Sequence, residues 1–281
     1  MRIDAHQHFW VYEPREDGWI DANMGVLQRD FLPGDLEPEL RHAGFAGCVA
    51  VQARQTVEET RWLLELAKQF PFVRGVVGWV DLRAPDLRRV LESFAGNGKL
   101  VGVRHIVQSE PDERFLLRPE FLRGIALLKE FGLAYDILIY TKHLGVAAEF
   151  VSRFPRQRFV LDHLAKPPIK SGELREWERG IRELAKFPNL MAKLSGLVTE
   201  ADWQAWTPEQ IKVCLDVAFE CFGAQRLMIG SDWPVCTLAG TYARVVGIVM
   251  EYVEQKTAEE REAVLGRNAE RFWRLAPADA P

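Results

Sequence analysis

A single (β/α)8 TIM barrel spanning residues 1–281 is the fold class this sequence predicts, and three observations lead to it. Eight short apolar, β-branched segments recur along the chain, helical patterns separate them, and no repeat, linker or low-complexity tract divides the 281 residues. Segments such as "GCVAVQA", "RGVVGWV" and "RFVLDH" are apolar almost throughout, as strands covered on both faces are. Strand and helix alternating eight times point to a closed parallel sheet. An open doubly wound sheet competes. However, the first strand runs into an HxH pair, where a dinucleotide fold needs a glycine-rich GxGxxG turn.

The expected strands, in order, are 2–8, 47–53, 73–81, 100–107, 134–140, 158–163, 190–195 and 226–231. In the first, alternation puts Asp4, His6 and His8 on one face and Ile3, Ala5 and Gln7 on the other. After the second, "TVEET" offers Thr56 as a helix cap with Glu59 closing a capping box. Before the eighth, "TPEQ" offers Thr207 as cap, Pro208 in the first turn and Gln210 to close the box, and Gly223 ends that helix. "TAEE" repeats the box at Thr257 and Glu260. The longest stretches without a clear element, 9–34 and 164–172, follow strands one and six. In a barrel both lie on the C-terminal face, where active-site loops are found.

Composition narrows the functional classes. With 36 basic and 40 acidic residues the formal charge is −4, and no basic run marks a nucleic-acid partner. No apolar run approaches the roughly 20 residues of a membrane helix. The four cysteines lack CxxC spacing; Cys48 lies in an apolar strand and Cys214 and Cys221 on one apolar helical pattern. Such scattered, core-type cysteines, with no leader-like start, predict a cytoplasmic protein. A homo-oligomer is compatible with the sequence and not specified by it.

The polar residues gather at the predicted strand ends. His6 and His8 end strand one, and Gln52 and Arg54 stand at the end of strand two. Arg104 and His105 lie on strand four, His163 ends strand six, Lys193 and Ser195 lie on strand seven, and Asp232 follows strand eight. Charged groups are rarely buried unpaired, so histidines and an aspartate from three strands meeting at one mouth make a site. Of Arg104 and His105 only one can face inward, and the guanidinium is the harder to bury behind helices. Asp4 reads as a supporting carboxylate behind the site, and Lys193 as a substrate contact or a buried ion pair. Trp10 and Trp233 read as an apolar wall or as loop packing. His42 and His143 are expected at the surface. His6, His8, His163 and Asp232 could hold one metal ion with a position open for water.

HxH after strand one, "DHLAKP", "KLSGL", "GVRH", "GSDWPV" and the C-terminal "GRNAERFWRL" together resemble the amidohydrolase superfamily, in its amidohydrolase-2 branch. Within that branch the sugar-lactonase and pyrone-dicarboxylate-lactonase group is the nearest in pattern. The resemblance covers the whole chain. It implies hydrolysis of a small-molecule sugar lactone, with Asp232 as general base and His6, His8 and His163 polarising the carbonyl. Arg104, Trp10, Lys193, Trp233, Gln52 and Arg54 are then expected to contact substrate. Members of this group work without metal, so the resemblance implies a site able to hold one divalent ion, zinc first, whether or not the reaction needs it. A two-metal centre is not expected, since strand four offers Arg104 and His105 and strand five ends before His143. The runner-up is a pyrone-dicarboxylate lactonase, with Arg104, Lys193 and Arg54 as carboxylate clamps. A metal-dependent decarboxylase of the same branch and a non-catalytic binding barrel also compete. The binding barrel has no need of a carboxylate opposite a histidine pair.

Overall fold

In the computed structural model, which describes residues 1–276, eight parallel strands stand in sequence order around one barrel. They are β1 (Ile3–Gln7), β2 (Gly47–Val51), β3 (Val73–Gly78), β4 (Leu100–Ile106), β5 (Ala134–Leu138), β6 (Phe159–Leu161), β7 (Leu190–Leu194) and β8 (Leu227–Ile229). All eight expected strands are present, and each is shorter than its apolar run. The apolar run continues past the last ladder bond into loops that are themselves buried, as at Val80 and Ile139.

The helices cover the outside: α1 (Pro33–His42), α2 (Val57–Gln69), α3 (Leu87–Glu92) and α4 (Pro119–Leu128), then α5 (Leu144–Ser152) and α6 (Arg175–Leu184). After them come α7 (Pro208–Phe222), α8 (Tyr242–Glu254), α9 (Ala258–Glu262) and α10 (Asn268–Trp273). The cap at Thr257 is reciprocal as expected, and Thr207 N donates to Gln210 Oε1 at 3.0 Å. Gly223, at φ 65°, ends α7. The Thr56 box is half made. Thr56 accepts from Glu59 N, but the Glu59 carboxylate turns to accept from Ala53 N and Arg54 N and fastens the loop after β2.

The barrel interior changes character along its axis. At the N-terminal end the inward side chains are Ile3, Ala5, Val49, Val51, Val77, Val101, Val160, Met191 and Met228, closed below by Phe272 and Trp273 of α10. Towards the C-terminal end the inward positions become His6, Arg104, Asp136 and Lys193, all buried. Outward residues such as Ala50, Val76, Val103 and Ile137 belong to the apolar layer under the helices.

One residue breaks the alternation expected of β1. Asp4 pairs with Cys48 and Gln7 with Ala50, so β1 holds one more residue than β2 between these points. This bulge reverses the parity. Ala5 and His6 turn inward in succession, and Asp4 faces outward beneath α8, against the expectation that it shares a face with His6. There it accepts from His6 N at 3.1 Å, Ser231 N at 2.9 Å, Ser231 Oγ at 2.6 Å and Tyr242 OH at 3.1 Å. It staples β1 to the segment after β8. Two backbone bonds finish the seam: Asp232 N to His6 O at 2.8 Å and His8 N to Trp233 O at 2.7 Å.

Candidate active site

The seam places the first three groups. His6 and His8 leave β1 on the inward side, and Asp232, at φ 59°, leaves the neighbouring segment. His6 Nε2 and His8 Nε2 are 3.2 Å apart. Asp232 Oδ1 lies 3.3 Å from His8 Nε2, 3.7 Å from His6 Nε2 and 3.7 Å from His163 Nε2. A tetrahedral zinc site with ligands at 2.0–2.1 Å has ligand–ligand edges of about 3.3 Å. His6, His8 and Asp232 therefore offer donor edges close to those of a single small divalent ion, with His163 reaching the same carboxylate oxygen.

Partners orient the rings. His8 Nδ1 donates to Val51 O at 2.8 Å, which fixes the ring with Nε2 towards the site. His163 Nδ1 pairs with Ser195 Oγ at 2.9 Å. Burial lowers His163 to about 4 and holds His6 well below the ordinary imidazole range, so both are neutral at pH 7. Burial pushes the Asp232 carboxyl up, but His163, His8 and His6 more than offset it, and the group stays ionised.

Beneath the four lies a buried charge network. Lys193 Nζ donates to Asp136 and sits 2.9 Å from Asp162 Oδ1 and 3.2 Å from His6 Nδ1. Arg104 Nη1 donates to Asp162 Oδ2 at 2.9 Å, and Arg104 Nε and Nη2 donate to Gln52 Oε1. Arg104 reaches the cavity with one edge, while His105 faces outward, between Glu110, Trp79 and the Phe115 ring. The inward choice of Arg104 over His105 is thus the observed one.

Above the cluster opens a cavity of about 850 Å³ whose wall includes His8, His163, Asp232, Arg104, Trp10 and Arg54. Three expected substrate contacts do not reach that wall. Lys193 is wholly buried because two aspartates hold it below the floor. Gln52 is buried behind Arg104, which takes up its Oε1. Trp233 packs edge-on to Phe9 and Phe31 and anchors the loop after β1. Gln7 points out of the barrel to Cys48 Sγ. His42 is exposed as expected, but His143 is buried, accepting from Tyr140 N through Nδ1.

Sequence reasoning missed Asp136 and Asp162, although an aspartate inside an apolar strand run ("AYDIL", "FVLD") was the available signal. It also missed Tyr140, Lys166, Glu200 and Trp203 of the cavity wall, which loops supply without local pattern.

The backbone around His163 is tightly specified. Gly196, at φ 61°, lies so near that a Cβ there would stand 2.4 Å from His163 Nδ1. Gly196→Ala is therefore expected to push the imidazole off its position and lower kcat by about 100-fold, the scale of a 1 Å misplacement. Turnover of the folded variant, checked by near-UV circular dichroism, tests this; a few-fold change would contradict it.

The folded His163 pKa is depressed relative to the unfolded one, so the unfolded chain takes up a proton first as pH falls. The contribution to stability is complete above about pH 6.5 and is lost on the way down to about 4. Urea unfolding of chelator-treated protein between those limits should show a shallower pH slope for His163→Asn than for the parent.

Comparison with known proteins gives a consistent picture. The amidohydrolase family (Amidohydro_2) matches residues 3–275. An L-fucono-1,5-lactonase of Burkholderia multivorans is 44% identical over 292 aligned positions, covering 100% of this chain and 98% of the relative. An L-fucono-1,5-lactonase of Burkholderia ambifaria is 40% identical, covering 98% and 96%. A crystal structure of an amidohydrolase from Burkholderia multivorans with bound zinc superposes with a TM-score of 0.95 at 43% identity, over 98% of this chain and 100% of that one.

Proposed function

The chain belongs to the amidohydrolase family, and from that premise we propose that it is a lactonase, a hydrolase that opens the ester ring of a sugar-acid lactone. The observation that carries this reading is the convergence of three imidazoles on one ionised carboxylate at the floor of an open cavity. Lactone hydrolysis needs a base beside a water, a polarised carbonyl, and a proton for the departing ring oxygen. Asp232 takes the proton of the attacking water as its oxygen bonds to the carbonyl carbon. The ring carbon–oxygen bond then breaks, and Asp232 returns the proton to the departing alkoxide. Arg104, fixed by Asp162 and Gln52, presents a cationic edge to the substrate oxygens. His6, His8, His163 and Asp232 would hold one divalent ion, zinc first; when bound, it supplies a Lewis acid for the carbonyl and an acidified water.

The charge balance favours a neutral lactone over a dicarboxylate pyrone. Every cation on the cavity wall already has its own carboxylate: Arg104 with Asp162, Arg54 with Asp17 and Glu16, Lys166 with Glu200. A dianion would have to break these pairs, whereas uncharged hydroxyls would not. In side-by-side proton-release assays, fuconolactone, rhamnonolactone and galactonolactone are expected to give higher kcat/KM than pyrone dicarboxylate. A higher value for the pyrone would overturn the sugar assignment.

Metal occupancy has a separate readout. Zinc at about 100 times its Kd should stabilise chelator-treated protein by about 2.7 kcal/mol, seen as a rise in Tm. His8→Ala should abolish the response; an equal rise in that variant would place the ion elsewhere.

A further inference from the structure

Lys166 and Glu200 form an ion pair of 3.0 Å in the cavity wall, with side-chain exposures of 18% and 20%. Neither takes part in the attack of water. Yet the backbone is strained to place Lys166. His163, Leu164, Ala165 and Lys166 have φ of 53°, 49°, 59° and 54°, four consecutive left-handed residues, none of them glycine. Each costs about 1–2 kcal/mol. The turn persists because it is held on several sides. Trp177 Nε1 donates to Leu164 O at 2.6 Å, Thr141 Oγ1 to Lys166 O at 3.3 Å, and Lys166 N to His163 O at 2.8 Å. Strain kept in this way at a cavity wall marks a function.

The turn begins at His163 and ends at Lys166, so it fixes the offset of the ammonium group from the reacting carbonyl. Glu200 is set from the other side. It follows β7, whose neighbouring Ser195 bonds His163, and its own carbonyl accepts from Lys170 N at 3.0 Å. An ammonium has three donors and a carboxylate about four acceptor positions, and their mutual contact uses only one of each. The pair is neutral as a whole, presents a donor beside an acceptor, and has the Tyr140 ring 5.5 Å from the ammonium nitrogen. That combination suits two adjacent hydroxyls above an apolar ring face, and it offers a carboxylate no unpaired positive charge.

We propose that Lys166 and Glu200 determine substrate specificity by reading a vicinal diol on the lactone ring, Lys166 donating to one oxygen and Glu200 accepting from the neighbouring hydroxyl. The proposal rests on the lactone reading above. It selects polyhydroxylated lactones over unsubstituted ones at a set distance from the ester carbonyl.

The test compares the parent with Lys166→Met and Glu200→Gln on three probes: a hydroxylated hexonolactone, an unsubstituted six-membered lactone, and a cyclic hexitol ether that has the diol but no carbonyl. Each substitution is expected to lower kcat/KM for the hexonolactone, and to weaken calorimetric binding of the ether, by about 10- to 100-fold, the scale of a hydrogen bond to a charged group. Turnover of the unsubstituted lactone should change little. Equal losses on both lactones would show that the pair merely holds its loops together, and unchanged handling of the hexonolactone and the ether would equally overturn the proposal. Glu200→Gln, which keeps shape and volume, decides the matter if Lys166→Met does not fold. Lysine-dependent binding of the ether by a parent that opens no lactone would sink the lactonase reading and leave the diol site standing.

Discussion

Asp232→Asn is expected to lower kcat by about 100- to 10,000-fold, the range for loss of a general base. The amide preserves the shape of the carboxylate and keeps an oxygen near His6, His8 and His163, but it cannot accept a proton. Asp232 is also the carboxylate common to all three imidazoles, with Oδ1 between 3.3 and 3.7 Å from each ring nitrogen. Its backbone N–H is engaged with His6 O, a bond the substitution leaves intact, so the fold should survive. Proton release from a sugar lactone by the purified variant, with its circular dichroism as control, is the measurement. Turnover within a few-fold of the parent would remove Asp232 from its role.

The second large effect concerns stability. Lys193→Met is expected to cost about 3–5 kcal/mol, because it leaves the buried Asp136 carboxylate without its cation and Asp162 with Arg104 alone. Asp136 and Asp162 both lie against Lys193 and both are wholly buried. Burial raises Asp136 to about 7, even with Lys193 in place. Removing the ammonium would drive one carboxyl to take up a proton and loosen the hydrogen bonds that hold Arg104 and His6. Urea unfolding at pH 8 and at pH 5 provides the check. The deficit should be smaller at pH 5, where a proton substitutes for the lost charge. A variant as stable as the parent at both values would show that the network holds no uncompensated charge.

The barrel was legible because parallel strands covered on both faces leave continuous apolar runs, and all eight runs became strands. The strand ends were legible too, since charge after an apolar run has few places to go but the mouth. His6, His8, His163 and Asp232 were found this way, and Arg104 was correctly turned inward on β4. The facing of Asp4 was not legible. A bulge adds one residue to one strand, and nothing in "RIDAHQH" marks where it falls. Lys193 was left between a substrate contact and a buried ion pair for a related reason: the sequence shows that it lies on a strand, but not that Asp136 and Asp162 stand beside it at the same depth. Lys166 and Glu200 come from irregular loops, where side-chain direction depends on tertiary anchors such as Trp177 and Thr141. No period in the sequence reports those anchors.

The seam between β1 and β8 has a consequence for how the protein comes into being. Asp4 and Ser231, which staple it, are 227 residues apart in the chain. The two histidines of β1 thus leave the ribosome long before their carboxylate partner. Contacts of such long sequence separation form late, since the intervening chain must first be ordered. Partial barrels made during translation therefore lack the Asp232 corner of the constellation, however well their early strands pair. Activity should arrive in one step with the closing of the ring, and a time course of synthesis would show folded mass before any turnover.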